Sequence, residues 1–324
     1  MKAVLCTHFG TADELEFGEV PDPVAAPGQA IVRVHAVGLN FFDLLQIAGK
    51  YQVKPPFPFS PGAEFAGIVE TTAPDVTGVK SGDRVVGWAW HGAARERLAA
   101  EAGYLVKLPD NLEFERAAGL TVTYGTSYYA LKNRARLKSG ETIAVLGATG
   151  GVGLAAVELA KLMDARVIAC ASSDDKLAFA QAHGADAIVN YARENLRDAL
   201  RDRTGGVGVD AVYDPVGGPY TEPALRALDW EGRLLVVGFA AGEIPKLPLN
   251  LTLLKNCDVR GVFWGAWARR DLAGHRANMA ELVDWASAGK ISAHVHAVYP
   301  FGQIAEALKA IADRRALGKV VLRP

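Results

Sequence analysis

The residues IAVLGATGGVG at positions 143–153 join an apolar run to a glycine cluster whose spacing suits a phosphate cradle. Aligned on its last glycines, the cluster sets Ala148, Gly150 and Gly153 in an A-x-G-x-x-G pattern, with Gly147 and Gly151 beside them. A pyrophosphate requires a tight strand-to-helix turn, close backbone approach and first-turn N–H groups aimed at its oxygens. Ala148, Thr149, Gly150, Gly151, Val152 and Gly153 are therefore the candidate phosphate-side residues. Ala148 departs from the usual first glycine by one methyl group. The alternative is a plain Gly-rich turn between a strand and a helix. The run TIAVLG before the cluster and VGLAAVELAKLM after it favour the dinucleotide reading. A Walker-type loop is excluded, because no Gly-Lys-Ser/Thr ending follows.

The end of the next apolar strand bears on which dinucleotide is bound. An NAD site usually places an acid there, to hold both ribose hydroxyls. RVIACASSDDK has Cys170, Ala171 and Ser172 at that point, so the acid is missing. Ser172, Ser173 and Lys176 instead offer hydroxyls and a positive charge to a 2′-phosphate, which makes NADP the expected cofactor. A serine here also suits the start of a helix, a role compatible with phosphate binding. Asp174 and Asp175 are the features that argue the other way.

A hydride-transfer site orients a nicotinamide against an acceptor and excludes water. In GLNFFDLLQIAGKYQ, Asn40 is a candidate donor to ribose or substrate, and Tyr51 a candidate aromatic wall with an acidic hydroxyl. Asp43 reads better as a helix-start cap than as a catalyst. Thr123 and Tyr124 in LTVTYGTSYYAL are candidates for the nicotinamide end, and Thr126 reads equally as a helix cap. Phe239, Phe263 and Trp264 follow the fifth and sixth strands of the α/β series, where ligands of open α/β sheets bind. Interface or core packing explains these three aromatics equally well. A metal site is not expected, since no C-x-x-C occurs and the histidines form no compact ligand set with the cysteines. Without such an ion, reduction of a quinone or conjugated enone is easier than alcohol oxidation, because the incoming hydride leaves charge that delocalises into the product.

These groups need a scaffold. The chain has 324 residues, long enough for two domains. Residues 1–121 hold short β-like runs punctuated by PGQ, SPG and SGD, which predicts a small, mostly β domain. From residue 122, strands expected at 142–147, 165–170, 186–190, 209–214, 233–238 and 257–262 alternate with helical patterns, which predicts a parallel sheet covered on both faces. After residue 261 come two amphipathic helices and a last strand, KVVLRP. The expected organisation is 1–121 and 262–324 as one domain around an inserted 122–261. Thirty-five basic and thirty-six acidic side chains give a net charge of −1, which offers nothing to nucleic acid or an anionic membrane. No signal peptide, anchor or membrane-length apolar run is read, so a cytoplasmic location is expected. Cys6, Cys170 and Cys257 read as isolated buried thiols.

Taken in order, NFFDLLQIAGKY, PFSPGAEFAGIV, GDRVVGW, TVTYGTSYYAL, VLGATGGVGLAAVELAKL, ASSDDK, GADAIVNY, GVDAVYDPVGG and GRLLVVGFAAG resemble segments of the zinc-free quinone oxidoreductase branch of the medium-chain dehydrogenase/reductase superfamily. The resemblance covers essentially the whole chain. It implies an α/β fold in which a Rossmann doubly wound parallel sheet is inserted into a GroES-like, mostly β catalytic domain. It also implies Asn40 and Tyr51 at the active site, Thr123 near the nicotinamide, and Gly150, Gly151, Val152 and Gly153 along the pyrophosphate. Ser172, Lys176 and Tyr191 are implied as the adenosine-phosphate cluster, Phe239, Phe263 and Trp264 at the nicotinamide end, and Lys319 as a cofactor-side basic residue. Where zinc-dependent relatives carry ligands, this chain has Leu39 or its neighbours and Ala63 before Glu64, and the structural-zinc lobe is missing. The expected activity is NADPH-dependent reduction of a quinone by direct hydride transfer. Reduction of 2-alkenals, enones or enoyl thioesters is the alternative, followed by non-catalytic NADPH binding. A homodimer joined through VRGVFWGAW is implied as well.

Overall fold

Strands that are apolar on both faces need cover on both sides, and the middle of the chain provides it. A computed structural model describes residues Met1–Pro324 and resolves them into two units, Met1–Val122 with Asp271–Pro324, and Thr123–Arg270.

The Thr123–Arg270 unit contains a six-stranded sheet in the spatial order Ala187–Asn190, Arg166–Ala171, Thr142–Leu146, Val209–Asp214, Leu228–Val236, Asp258–Gly261. Every neighbouring pair is parallel, and the order is that of a Rossmann sheet. Ile143, Leu146, Ile168, Val212 and Leu234 are fully buried within it. Each such side chain contributes roughly 1.5–3 kcal/mol of hydrophobic stabilisation. The fifth strand starts at Leu228, five residues before the expected 233, because Val209 pairs with Leu228 across a register shift. Thr126 lies inside a helix, Gly125–Tyr128, preceded by helical Tyr124, and so caps nothing.

Met1–Val122 and Asp271–Pro324 form the other unit. Its central sheet runs in the spatial order Val295–Pro300, Lys319–Arg323, Gln29–Leu39, Glu64–Thr72, Arg84–Trp88, Val106–Lys107, and Arg97–Glu101 also pairs with Gln29–Leu39. The C-terminal strand therefore completes a sheet begun by the N-terminal third, with Val320 opposite Leu39 and Leu322 opposite Val37. Val37, Leu39, Phe59, Phe65, Val85, Leu308 and Leu322 belong to its core.

The later boundary of the Rossmann unit lies at Arg270, nine residues beyond the expected 261. The helix Trp264–Arg270 packs on this unit. The Trp264 ring lies 3.1 Å from where a Cβ would stand on Gly125, and Trp267 stacks on Tyr129 at 4.3 Å. All three cysteines are buried and unpaired, and no helix is long and apolar enough to cross a membrane.

His275, on the helix Leu272–Ser287, is fully buried and meets Tyr104 edge-on at 5.9 Å. Burial, aided by the Arg276 charge, lowers its pKa from 6.5 to about 4. The unfolded chain thus takes up this proton first as pH falls, and the resulting loss of stability begins near 6.5 and is complete near 4. The stability of the native protein relative to a His275→Leu variant is expected to be flat at higher pH and to fall by about 3 kcal/mol across that window. Urea denaturation of both proteins over the range checks this, and a flat difference would show that the imidazole titrates normally.

Candidate active site

The glycine cluster is a strand-to-helix turn. Leu146 ends its strand and Gly147 adopts φ 59°, a left-handed conformation that costs a side chain dearly. Gly150 is the N-cap of the helix Gly151–Leu162. Gly153 faces the strand end so closely that a Cβ would lie 2.1 Å from the Gly147 carbonyl oxygen. Ala148 differs from expectation. It is fully buried and its N–H donates to the Cys170 carbonyl at 3.2 Å, so it braces the turn and has no donor left for a phosphate. The N–H groups of Gly151, Val152 and Gly153 lie in the first helical turn, where the geometry leaves donors open to an anion. Thr149 is buried beside them.

At the end of the next strand, Ser172 is exposed and Ser173 is the N-cap of the helix Asp174–Ala182. The Ser173 side chain makes no capping bond, so its hydroxyl is not spent on the helix. Lys176 lies half-buried one turn along. Of the two acids that argue against NADP, Asp175 is exposed and Asp174 has other partners: its Oδ1 accepts from Asn190 Nδ2 at 2.9 Å and pairs with the Arg193 guanidinium. The Asn190 bond and then Arg193 hold this carboxyl below its usual range. Tyr191 packs against Tyr220 with ring centroids 4.5 Å apart. Arg193 was not legible as a site residue, although its place two positions after Tyr191 was a usable signal.

In the other unit, four polar side chains converge in the interior. Lys319, expected as a cofactor-side basic residue, has its ammonium held by groups of its own unit. It is 3 % exposed, and its Nζ donates to Glu64 Oε1 at 2.5 Å, Asn40 Oδ1 at 2.9 Å and the Leu39 carbonyl at 2.7 Å. Asn40 is likewise no free donor. Its Nδ2 donates to Glu64 Oε1 at 2.9 Å and reaches the Gly38 carbonyl at 3.4 Å. Glu64 Oε2 accepts the Val122 N–H at 2.7 Å. Two charges removed from water in this way persist only when each is paired and hydrogen-bonded.

Asn40 begins the helix Phe41–Ile47, and Asp43 Oδ2 accepts its backbone N–H at 2.7 Å, the capping role expected for Asp43. Burial raises the Asp43 pKa from 3.8 to about 7, against the Asn40 hydrogen bond and the Lys319 charge. Tyr51 stacks on Phe42 at 5.2 Å, and burial followed by the Asp43 charge raises its phenol pKa.

On the Rossmann unit, Thr123 is buried and its carbonyl accepts from Ser127 Oγ at 2.9 Å. Tyr124 is an interior residue, its hydroxyl donating to Glu158 at 2.8 Å. Trp264 is buried against Gly125, whereas Phe239 and Phe263 are partly exposed.

Two family models match the chain, an alcohol dehydrogenase GroES-like domain at residues 26–110 and a zinc-binding dehydrogenase domain at 151–287. Mouse quinone oxidoreductase-like protein 2 is 40% identical over 322 residues, covering 99% of this chain and 91% of that protein. Human quinone oxidoreductase is 28% identical, covering 99% and 97%. The solved structure of Escherichia coli quinone oxidoreductase complexed with NADPH matches with a TM-score of 0.93 and 29% identity, covering 100% of both chains. The chain belongs to the medium-chain dehydrogenase/reductase superfamily, in its quinone oxidoreductase branch.

Membership makes it an oxidoreductase and raises the question of zinc, which one of the matching models carries in its description. The residues present do not fit that ion. Leu39 and Ala63 have no donor atoms, and the neighbouring Glu64 is committed to Lys319, Asn40 and Val122. No group of three or more His, Cys, Asp or Glu side chains is placed to hold a metal. A dinucleotide fits better in this superfamily member, since the glycine turn leaves the room and the backbone donors that a pyrophosphate needs.

Proposed function

We propose that this oxidoreductase is a zinc-independent, NADPH-dependent quinone reductase. The observation that carries the cofactor is the strand end itself: Ser172 is exposed there, the Ser173 hydroxyl makes no capping bond, and Asp174 is paired with Asn190 and Arg193. The E. coli relative complexed with NADPH and the quinone oxidoreductases among the relatives support the same reading. Reduced nicotinamide supplies a hydride when bound.

The protein's own residues bind and orient. The Gly151, Val152 and Gly153 N–H groups hold the pyrophosphate, and Tyr191 lies on the adenosine side. Thr123, Phe239, Phe263 and Trp264 border the nicotinamide end. Tyr51, ring-stacked on Phe42, is a wall for a planar acceptor, and its phenol offers a hydrogen bond from Oη to an oxyanion forming beside it. Asn40 and Lys319 act through the buried cluster as positioning residues. The donor set supports a quinone, because a hydroquinonate spreads its own charge and asks less of the protein than an alkoxide does. A homodimer through the edge strand Asp258–Gly261 belongs to the same proposal. Val259, Phe263, Leu249, Leu253 and Leu254 are all exposed near it in sequence, and an open strand edge is otherwise a liability.

The test follows nicotinamide absorbance with quinones and with 2-alkenals, enones and enoyl thioesters, using NADPH and NADH. NADPH loss with quinones is expected, and loss confined to the conjugated carbonyls would move the activity to that class. Lys176→Ala should weaken NADPH binding about tenfold and NADH binding by less than about twofold, as befits a charge-assisted contact to a phosphate. Equal losses for both cofactors would sink the 2′-phosphate assignment.

A further inference from the structure

The chain's enclosed arginines spend their charge on neighbours. Arg233 pairs with Glu141, and Arg116 donates to the carbonyls of Ser292, Ala286 and Ile291. Arg95 does not. It is partly buried and forms no ion pair, and its one side-chain hydrogen bond runs from Nη2 to the hydroxyl of fully buried Ser60 at 3.1 Å. Its Nε is buried without a partner. Burial lowers the Arg95 pKa, and no carboxylate acts to hold it up. A guanidinium enclosed without an anion is costly, and the geometry offers nothing in the protein to offset that cost.

A second group stands beside it. The turn at residues 91–95 wraps the segment at 59–62: the Gly92 N–H donates to the Ser60 carbonyl at 2.7 Å, Ala94 to Pro61 at 2.9 Å and Ala93 to Gly62 at 3.0 Å. The wrap sets the His91 ring edge-on to Phe59 at 5.9 Å, with Nδ1 buried and unpartnered. Burial and then the Arg95 charge lower the His91 pKa, so the imidazole is neutral at neutral pH and can donate a hydrogen bond without adding charge. The arrangement is rigid, because Cys6 and Phe59 exchange backbone bonds at 2.7 and 3.1 Å and Gln46 Nε2 ties down the Trp90 carbonyl at 3.1 Å. A fixed guanidinium fork, a neutral imidazole and a hydroxyl, together carrying one positive charge, form the complement of a small oxyanion.

We propose that Arg95, His91 and Ser60 form an oxyanion-binding site for a carboxylate or phosphoryl group. The anion is either free in solution or an acidic group carried by the acceptor substrate. The second source rests on the reductase reading above; the site itself does not.

The test is a titration of the full-length protein, isotopically labelled at histidine, with inorganic phosphate and with acetate at constant ionic strength, following the His91 ring resonances by NMR. Saturable shifts are expected with both anions, and Arg95→Gln should weaken them at least about tenfold. Arg95→Lys keeps the charge without the fork, so acetate binding should fall more than phosphate binding. Absence of a saturable shift in the native protein, or equal affinity in Arg95→Gln, would overturn the proposal. If Arg95→Gln does not fold, unchanged affinity of Arg95→Lys for both anions overturns it instead. The sources separate in a turnover arm that compares a naphthoquinone with its carboxylated analogue. A lower KM for the acid that disappears in Arg95→Gln assigns the site to the acceptor, and equal KM values with phosphate binding intact assign it to a free anion. Should no quinone be reduced at all, the titration still reads the site, so the two proposals fail separately.

Discussion

Gly153→Ala is expected to destabilise the Rossmann unit by about 3 kcal/mol and to weaken NADPH binding by at least about a hundredfold. A Cβ at this position would stand 2.1 Å from the Gly147 carbonyl oxygen, 2.8 Å from its carbon and 3.0 Å from the Ala148 Cα. All three are backbone atoms of the turn, so no side chain can swing aside. Either the helix Gly151–Leu162 moves off the strand Thr142–Leu146 or the turn opens. The first loosens the packing around fully buried Ala155, Ala156 and Val157, and the second tips the first-turn N–H donors away from the phosphate position. Gly150→Ala is the control. Its Cβ would meet only the Gly147 carbonyl oxygen at 3.6 Å, with φ −74°, so stability should change by less than about 0.5 kcal/mol while cofactor affinity still falls. Chemical denaturation and fluorescence titration of both variants read the two effects apart. An unchanged denaturation midpoint in Gly153→Ala would show that the turn yields without cost.

What was legible in the sequence was local. The strands at 142–146, 166–171 and 209–214 declare themselves because a strand buried on both faces is apolar along most of its length, and such runs are visible without knowing what covers them. The glycine turn is legible for the same reason, since its requirements lie within eleven consecutive residues. The polar interior was not legible. Lys319 reads as a cofactor-side cation until it is seen to meet Glu64 and Asn40, 255 and 279 positions away, and no periodicity carries that distance. Ala148 reads as a phosphate contact because the motif names positions, whereas the direction of its N–H depends on the neighbouring strand that brings up Cys170. Asp174 shows the reverse case. Its sign argued for one cofactor until Arg193, nineteen positions later, neutralised it. Charge in a sequence is thus a weak guide to charge at a site, because pairing is decided by tertiary contacts.

Lys319→Met should be the most damaging change in the other unit, with an expected loss of about 3–5 kcal/mol. The lysine is the only cation paired with Glu64, and its removal leaves a fully buried carboxylate with only the Asn40 and Val122 N–H donors. The loss should depend on pH in a definite direction. Asp43 has a folded pKa of about 7 against an ordinary value of 3.8, so the folded state holds a proton that the unfolded state releases, and this favours folding increasingly as pH falls through 7. The Lys319 charge lowers the Asp43 pKa, and without it the value rises further, so the variant gains more from acid than the native protein does. The deficit at about pH 8 should therefore exceed that at about pH 6. Glu64→Gln in the Lys319→Met background removes the stranded charge and keeps an acceptor for the Val122 N–H, so it should restore part of the loss. The buried pair would then be a matched set whose halves are each harmful alone, the behaviour expected when Coulombic attraction offsets desolvation. A deficit equal at both pH values and unmoved by the second substitution would mean that Lys319 stabilises the unit through its packing against Gly119 and not through its charge.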